Sequence, residues 1–147
     1  MRVTMLTLAD AATVRGGLLS LLNVNVNVLR RPSLPTPLTA RIVLCIEAYL
    51  EEIQKDHHIE VILITPSGGE HLLAEGDVSE DDIGQIVAPE VPINAPTVFN
   101  TEELLLEEQG VYRVSATING VESGWTSFVV RLEPQHESDE APPVAGG

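Results

Sequence analysis

Apolar residues recur at every second position along most of this chain, and that period constrains the fold more than any other feature. A period of two places one side of an extended segment in a core and the other outside, whereas a helix needs 3.6. RVTMLTLA (2–9) reads as a first strand and LLSLLNVNVNVLR (18–30) as a second, with ADAATVRGG as the connection. Gly16 and Gly17 supply freedom where the chain reverses. The prolines of RPSLPTP cannot donate to a sheet, so residues 31–37 read as an irregular link.

LTARIVLCIEAYL (38–50) is the third strand, with Ile42, Leu44, Ile46 and Ala48 inward and Arg41, Val43, Cys45 and Glu47 on the other side. HHIEVILITP (57–66) and EHLLAEGDV (70–78) form a hairpin around the Pro66-Ser67-Gly68-Gly69 turn. Residues 79–96 read as a loop, with an extended piece around VPINAPTVF. Asn100 followed by Glu103 resembles a capping box, and Gly110 would stop the helix it starts, so one short helix is expected near 101–109. The last strands are VYRVSATI (111–118) and WTSFVVRL (125–132). Tyr112, Val114, Ala116 and Ile118 form one apolar face, and Phe128, Val130 and Leu132 form its partner. Register parity then demands an odd-numbered loop, such as 119–121 or 119–123. In that register Trp125 points outward, alongside Arg113 and Ser115.

Such a series of strands without βα alternation predicts an all-β fold: an immunoglobulin-like antiparallel β-sandwich of about seven strands. The segment Leu106–Tyr112 adds a tyrosine corner, in which a tyrosine at the start of the penultimate strand bonds back to the preceding loop. The sandwich is expected to occupy residues 1–133. The remainder, 134–147, is acidic, rich in Pro and Gly, and expected to be disordered.

Charge and composition narrow the function. Twenty-two acids against eight Lys and Arg give a net charge of −14, which repels nucleic acid and anionic lipid. The single cysteine, Cys45, allows no internal disulfide and reads as a buried, inert thiol. The apolar run VTMLTLA is too short for a secretory leader, and Asp10 and Arg15 follow it. No stretch reaches membrane-spanning length, so a cytoplasmic protein is expected.

The segments LADAATVRGGLLSLLNV, PSLPTPL and GVYRVSATINGVESGWTSFVV resemble a bacterial domain-of-unknown-function family of small single-domain proteins. The resemblance runs to about Leu132 and rests on structural residues, so it implies a fold and brings no catalytic or binding residues. The family pattern has a glycine cluster after the strand that holds Leu22-Asn23-Val24, where this chain has alternating Asn and Val.

No catalytic constellation emerges. His57 and His58 are neighbours on a strand and project to opposite sides, so they cannot share a metal; His71 could approach one of them across the hairpin. Glu75, Asp77, Glu80, Asp81 and Asp82 are acidic, yet Asp82 stands where a calcium loop needs Gly, and Ala88 where it needs Glu. No metal and no cofactor are expected. The chain lacks a G-x-S-x-G elbow, a phosphate loop and a dinucleotide fingerprint. A terminal Gly146-Gly147 resembles the tail of ubiquitin-like modifiers, which have a long central helix that this sequence does not encode.

Three amides on one strand would each cost a few kcal/mol if sealed without partners. Asn23, Asn25 and Asn27 are therefore expected to face outward while Val24, Val26 and Val28 face the core. The face of Asn23, Asn25 and Asn27 and the neighbourhood of Trp125 and Arg113 are the predicted binding surfaces, suited to a protein partner or to self-association, and the sequence does not say whether they share a sheet. A small-ligand or carbohydrate-binding sandwich is the alternative, with an enzyme or a diglycine-tailed modifier third.

Overall fold

A computed structural model describes residues 1–78 and 90–134. Its strands are β1 (Arg2–Arg15), β2 (Leu18–Val24), β3 (Val28–Arg31), β4 (Thr36–Pro37), β5 (Arg41–Ala48), β6 (His57–Ile64), β7 (Glu70–Val78), β8 (Ile93–Phe99), β9 (Leu105–Leu106), β10 (Gly110–Ile118) and β11 (Val121–Leu132), with a single-turn helix α1 at Leu50–Ile53. One sheet has the order β2-β1-β5-β8, a second β3-β11-β10-β6-β7, and β4 pairs with β9. The two large sheets bury one core between them, in which Leu8, Ile42 and Leu44 meet Val61, Val114 and Phe128. This is the all-β sandwich that the two-residue period predicts. Among the described residues no helix is long and apolar enough to cross a membrane. The predicted disordered tail falls almost wholly outside the described residues, as do Glu80, Asp81 and Asp82.

Several local expectations are corrected. The connection ADAATVRGG is mostly strand: β1 continues to Arg15, and the reversal is a two-residue turn at Gly16 and Gly17, with φ of 59° and 75°. Those are the left-handed angles that a tight hairpin requires and glycine supplies. Only residues 2–9 of β1 pair with β5, while residues 9–15 pair with β2. The β1–β2 hairpin tip then lines a shallow cleft with Thr4, Met5, Cys45 and Pro96. Cys45 is half-buried there, and burial pushes its thiol pKa up, consistent with an inert group.

The predicted helix near 101–109 does not form. Asn100 does act locally, its Oδ1 accepting the Glu102 N–H at 3.0 Å, and Leu104 N–H donates to Thr101 O at 3.1 Å. After that one turn the chain extends into β9, because fully buried Leu106 belongs to the core and pairs with Thr36. A cap worth about 1 kcal/mol yields to a buried leucine worth two or three times that.

The parity argument for the last hairpin is met by another device. Asn119 and Gly120, at φ of 52° and 80°, make a two-residue turn that pairs Ile118 with Val121. A bulge then shifts the register between Ala116 and Thr117, so that Tyr112 still faces Phe128. The extra residue sits in the strand rather than in the loop. The tyrosine corner is present: Tyr112 Oη donates to Glu108 O at 2.8 Å and accepts from Glu108 N–H at 3.1 Å. Burial raises the phenol's pKa, keeping it a donor.

Candidate functional site

The run NVNVN is not one strand. Asn23 and Asn25 adopt φ of 53° and 61°, left-handed angles that a Val would occupy only under strain. The chain therefore leaves β2 at Val24, crosses from one sheet to the other through residues 25–27, and enters β3 beside β11. It arrives in the same direction as β11, so β3–β11 is a parallel pair inside a sandwich predicted to be antiparallel. The crossing is pinned at both ends, by Val26 N–H to Leu8 O at 3.0 Å and Val129 N–H to Asn27 O at 2.8 Å.

This corrects the expected alternation. Val24 and Val28 are 44% and 47% exposed, and of the three valines only Val26 packs against the core. With two left-handed residues in the run, side chains no longer alternate between two faces. All three asparagines are exposed, as expected, but they do different work. Asn23 Nδ2 donates to Asp10 Oδ2 at 2.8 Å, which ties it to the hairpin. Asn25 N–H donates to buried Thr7 Oγ1 at 3.1 Å, and that hydroxyl donates to Asn25 Oδ1 at 3.2 Å, leaving the Asn25 NH₂ outward. Asn27's side chain has no hydrogen-bond partner among the described residues.

Asn25, Val26 and Asn27 form one wall of an open cleft of about 310 Å³, and Trp125, Thr126 and Ser127 form the other. Two predicted elements a hundred residues apart are thus one site, apart from Asn23, which is engaged elsewhere. Trp125 is 56% exposed and stands opposite Ser115, as register parity requires. Arg113 lies over its ring, 4.4 Å from the centroid, an arrangement worth about 0.5–1 kcal/mol at an exposed site. Glu122 fixes that stack: its Oε1 accepts from Arg113 Nη2 at 2.5 Å, and its Oε2 from Ser115 Oγ at 2.7 Å. The stack covers one face of the indole and leaves the ring exposed at the cleft. Thr126, Ser127 and Thr7 were not singled out from sequence. Ser127 shares Trp125's face by simple alternation and could have been; nothing local reveals Thr7.

A second polar group occupies the outward face of the β6–β7 hairpin. Pairing sets His58 opposite Asp77 and Glu60 opposite Glu75. His58 Nδ1 lies 2.9 Å from Asp77 Oδ1, and its Nε2 lies 3.3 Å from Glu60 and 3.9 Å from Glu75. His57 points the other way, to Glu52 O and Asn119, as expected. His71 pairs with Leu63 instead of approaching either histidine. The Asp77 hydrogen bond, then Glu60, raises the His58 pKa, because both carboxylates favour the charged ring, and that ring lies between the facing Glu60 and Glu75. The stabilisation is complete below the unfolded value of 6.5 and is lost as pH rises through the higher folded value. An NMR titration should find His58 above that value and shifted down in Asp77→Asn. An unchanged titration in the variant would refute the pairing.

The sandwich also has a mostly apolar gap of about 220 Å³ between the edges of β7 and β8, lined by Leu44, Ile46, Val61, Ala74 and Phe99. It adjoins the chain that leads into residues 79–89, outside the described residues.

No curated protein matches the sequence. Among solved structures, the chain is similar at a TM-score of 0.36 to the Pseudomonas fluorescens alkylpurine DNA glycosylase AlkC bound to DNA containing an abasic site analog. The identity is 12%, over 86% of this chain and 30% of that one, a likeness too slight to carry an argument. Residues 4–131, almost all of the sandwich including the cleft, match the model of a family of unknown function, DUF6941, and the chain belongs to that family.

Proposed function

We propose that the chain is a non-catalytic binding or assembly module of the bacterial cytoplasm, and that it engages a protein partner through the cleft between Asn25–Asn27 and Trp125–Ser127. The observation that carries this reading is the convergence of an exposed indole, stacked on one face by Arg113, with two outward amides in one cleft. Trp supplies contact area at little entropic cost, and Asn offers both donor and acceptor to the peptide groups of a partner. Ser115, beside Trp125, is also paired with Ile62, and Ile62 with exposed Leu72, which extends the apolar contact across the same sheet face. The tyrosine corner supports an immunoglobulin-like reading of the sandwich. A carbohydrate-binding role is the weaker alternative, since Arg113 occupies a face of the only tryptophan.

Capture from a bacterial lysate by the immobilised protein tests the proposal. Trp125→Ala should lose the captured partner by about 2 kcal/mol or more of binding energy. Asn25→Asp keeps the acceptor that Thr7 needs while replacing the outward donor with a charged carboxylate oxygen, and at one polar contact its loss should be smaller than that of the indole.

A further inference from the structure

A sheet edge presents unpaired backbone groups, and a sandwich ordinarily blunts its edges with charge, proline or brevity. Among the described residues, three of the four edges of the two large sheets follow that rule. β3 is four residues long and carries Arg30 and Arg31, β7 carries Glu70, Glu75 and Asp77, and β8 contains Pro96, which has no N–H to offer. The fourth edge, β2, has none of these guards. Its sequence is LLSLLNV, among the described residues it pairs on one side only, and Leu18 and Leu22 are 76% and 59% exposed.

Two features identify what fits that edge. Residues 18–22 read Leu-Leu-Ser-Leu-Leu in either direction. Antiparallel pairing of this strand with its own copy about Ser20 sets Leu18 opposite Leu22, Leu19 opposite Leu21, and Ser20 opposite Ser20, with no mismatched pair. The backbone agrees with this centre. In a two-residue hairpin the flanking pair, Arg15 and Leu18, exchanges both of its hydrogen bonds. Leu18, Ser20 and Leu22 therefore bond inward to β1, and Leu19 and Leu21 direct their N–H and C=O groups to the free edge. In the symmetric register Leu19 and Leu21 of the two copies are the hydrogen-bonded pairs. Charge gives the second feature. The chain is at −14 overall, yet residues 11–24 contain no Asp or Glu and one Arg. Two copies repel over most of their surface and least at this hairpin.

We infer that a second copy of this chain pairs with β2 antiparallel about Ser20, joining the two β2-β1-β5-β8 sheets into one continuous sheet across a two-fold axis. The interface is isologous and closed, so it yields a dimer and not a fibre. It is separate from the Trp125 cleft, and either can fail without the other.

Light scattering should give twice the chain's 15.9 kDa, falling toward the single-chain mass on dilution. Ser20→Asp sets two carboxylates face to face at an exposed position and should return the monomer, with the melting temperature that wild type shows once diluted to its single-chain mass. Facing residues of a non-hydrogen-bonded antiparallel pair stand about 4.5 Å apart at Cα, within disulfide range. Ser20→Cys should therefore cross-link the dimer under mild oxidation. Thr13→Cys, exposed on the neighbouring strand and also carrying Cys45, should not. A single-chain mass at every concentration overturns the inference, as does a dimer indifferent to Ser20→Asp or a Ser20→Cys cross-link no faster than that of Thr13→Cys.

Discussion

Phe128→Ala should lower the unfolding free energy by about 3–5 kcal/mol, roughly a fifth or more of what a domain ordinarily has. Phe128 is fully buried, and its ring stacks on Tyr112 with centroids 5.1 Å apart and planes 7° from parallel. Truncation removes the aromatic stack between β10 and β11, leaves a void in the core, and frees the Tyr112 ring that holds the Glu108 corner. Urea denaturation followed by far-UV circular dichroism reads the change. Val111→Ala, exposed on the paired strand β10, should stay within about 0.5 kcal/mol. Equal losses from the two variants would mean that the core does not lie between these sheets.

Gly110→Ala should cost about 3 kcal/mol, part of it backbone strain and part close contact. Gly110 begins β10 at φ of 127°, a conformation that side chains rarely adopt, and a Cβ there would sit 2.9 Å from the Pro66 ring. Two other glycines separate the contributions. Gly68 has φ of 94° but open space around it, so Gly68→Ala reports strain alone. Gly76 has neither constraint, so Gly76→Ala should change little. The expected order of destabilisation is Gly110, then Gly68, then Gly76. A Gly110→Ala variant as stable as Gly76→Ala would contradict the packing of β10 on the 66–69 turn.

What was legible in the sequence was whatever depends on burial. Ile42, Leu44 and Ile46 on one side of β5, and Tyr112, Val114 and Phe128 facing one another, follow from alternation because a one-residue slip would expose them all. What was not legible depends on backbone angles and distant partners. Asn23 and Asn25 looked like a polar face, yet their left-handed φ values make them the point where the chain changes sheets. The same misreading joined β2 and β3 into one strand. The capping box at Asn100 was real as a turn, but Leu106 had a place in the core that no local pattern announces. The bulge beyond Asn119-Gly120 met the parity requirement by a route that parity alone does not specify. For the site, outward Trp125 and Arg113 came from register, while the meeting of Trp125 with Asn25 and Asn27 came only from the sheet crossing.

The proposed role rests on the cleft, and titration of the purified captured partner against wild type, Trp125→Ala and Asn25→Asp tests it most directly. Because Trp125 is the only tryptophan, its emission reports on that wall of the cleft alone. Binding should shift the wild-type emission to the blue, with affinity weakened about thirtyfold or more in Trp125→Ala, as read by calorimetry, and less in Asn25→Asp. Unchanged indole emission at saturation, with both folded variants binding as tightly as wild type, would contradict the account.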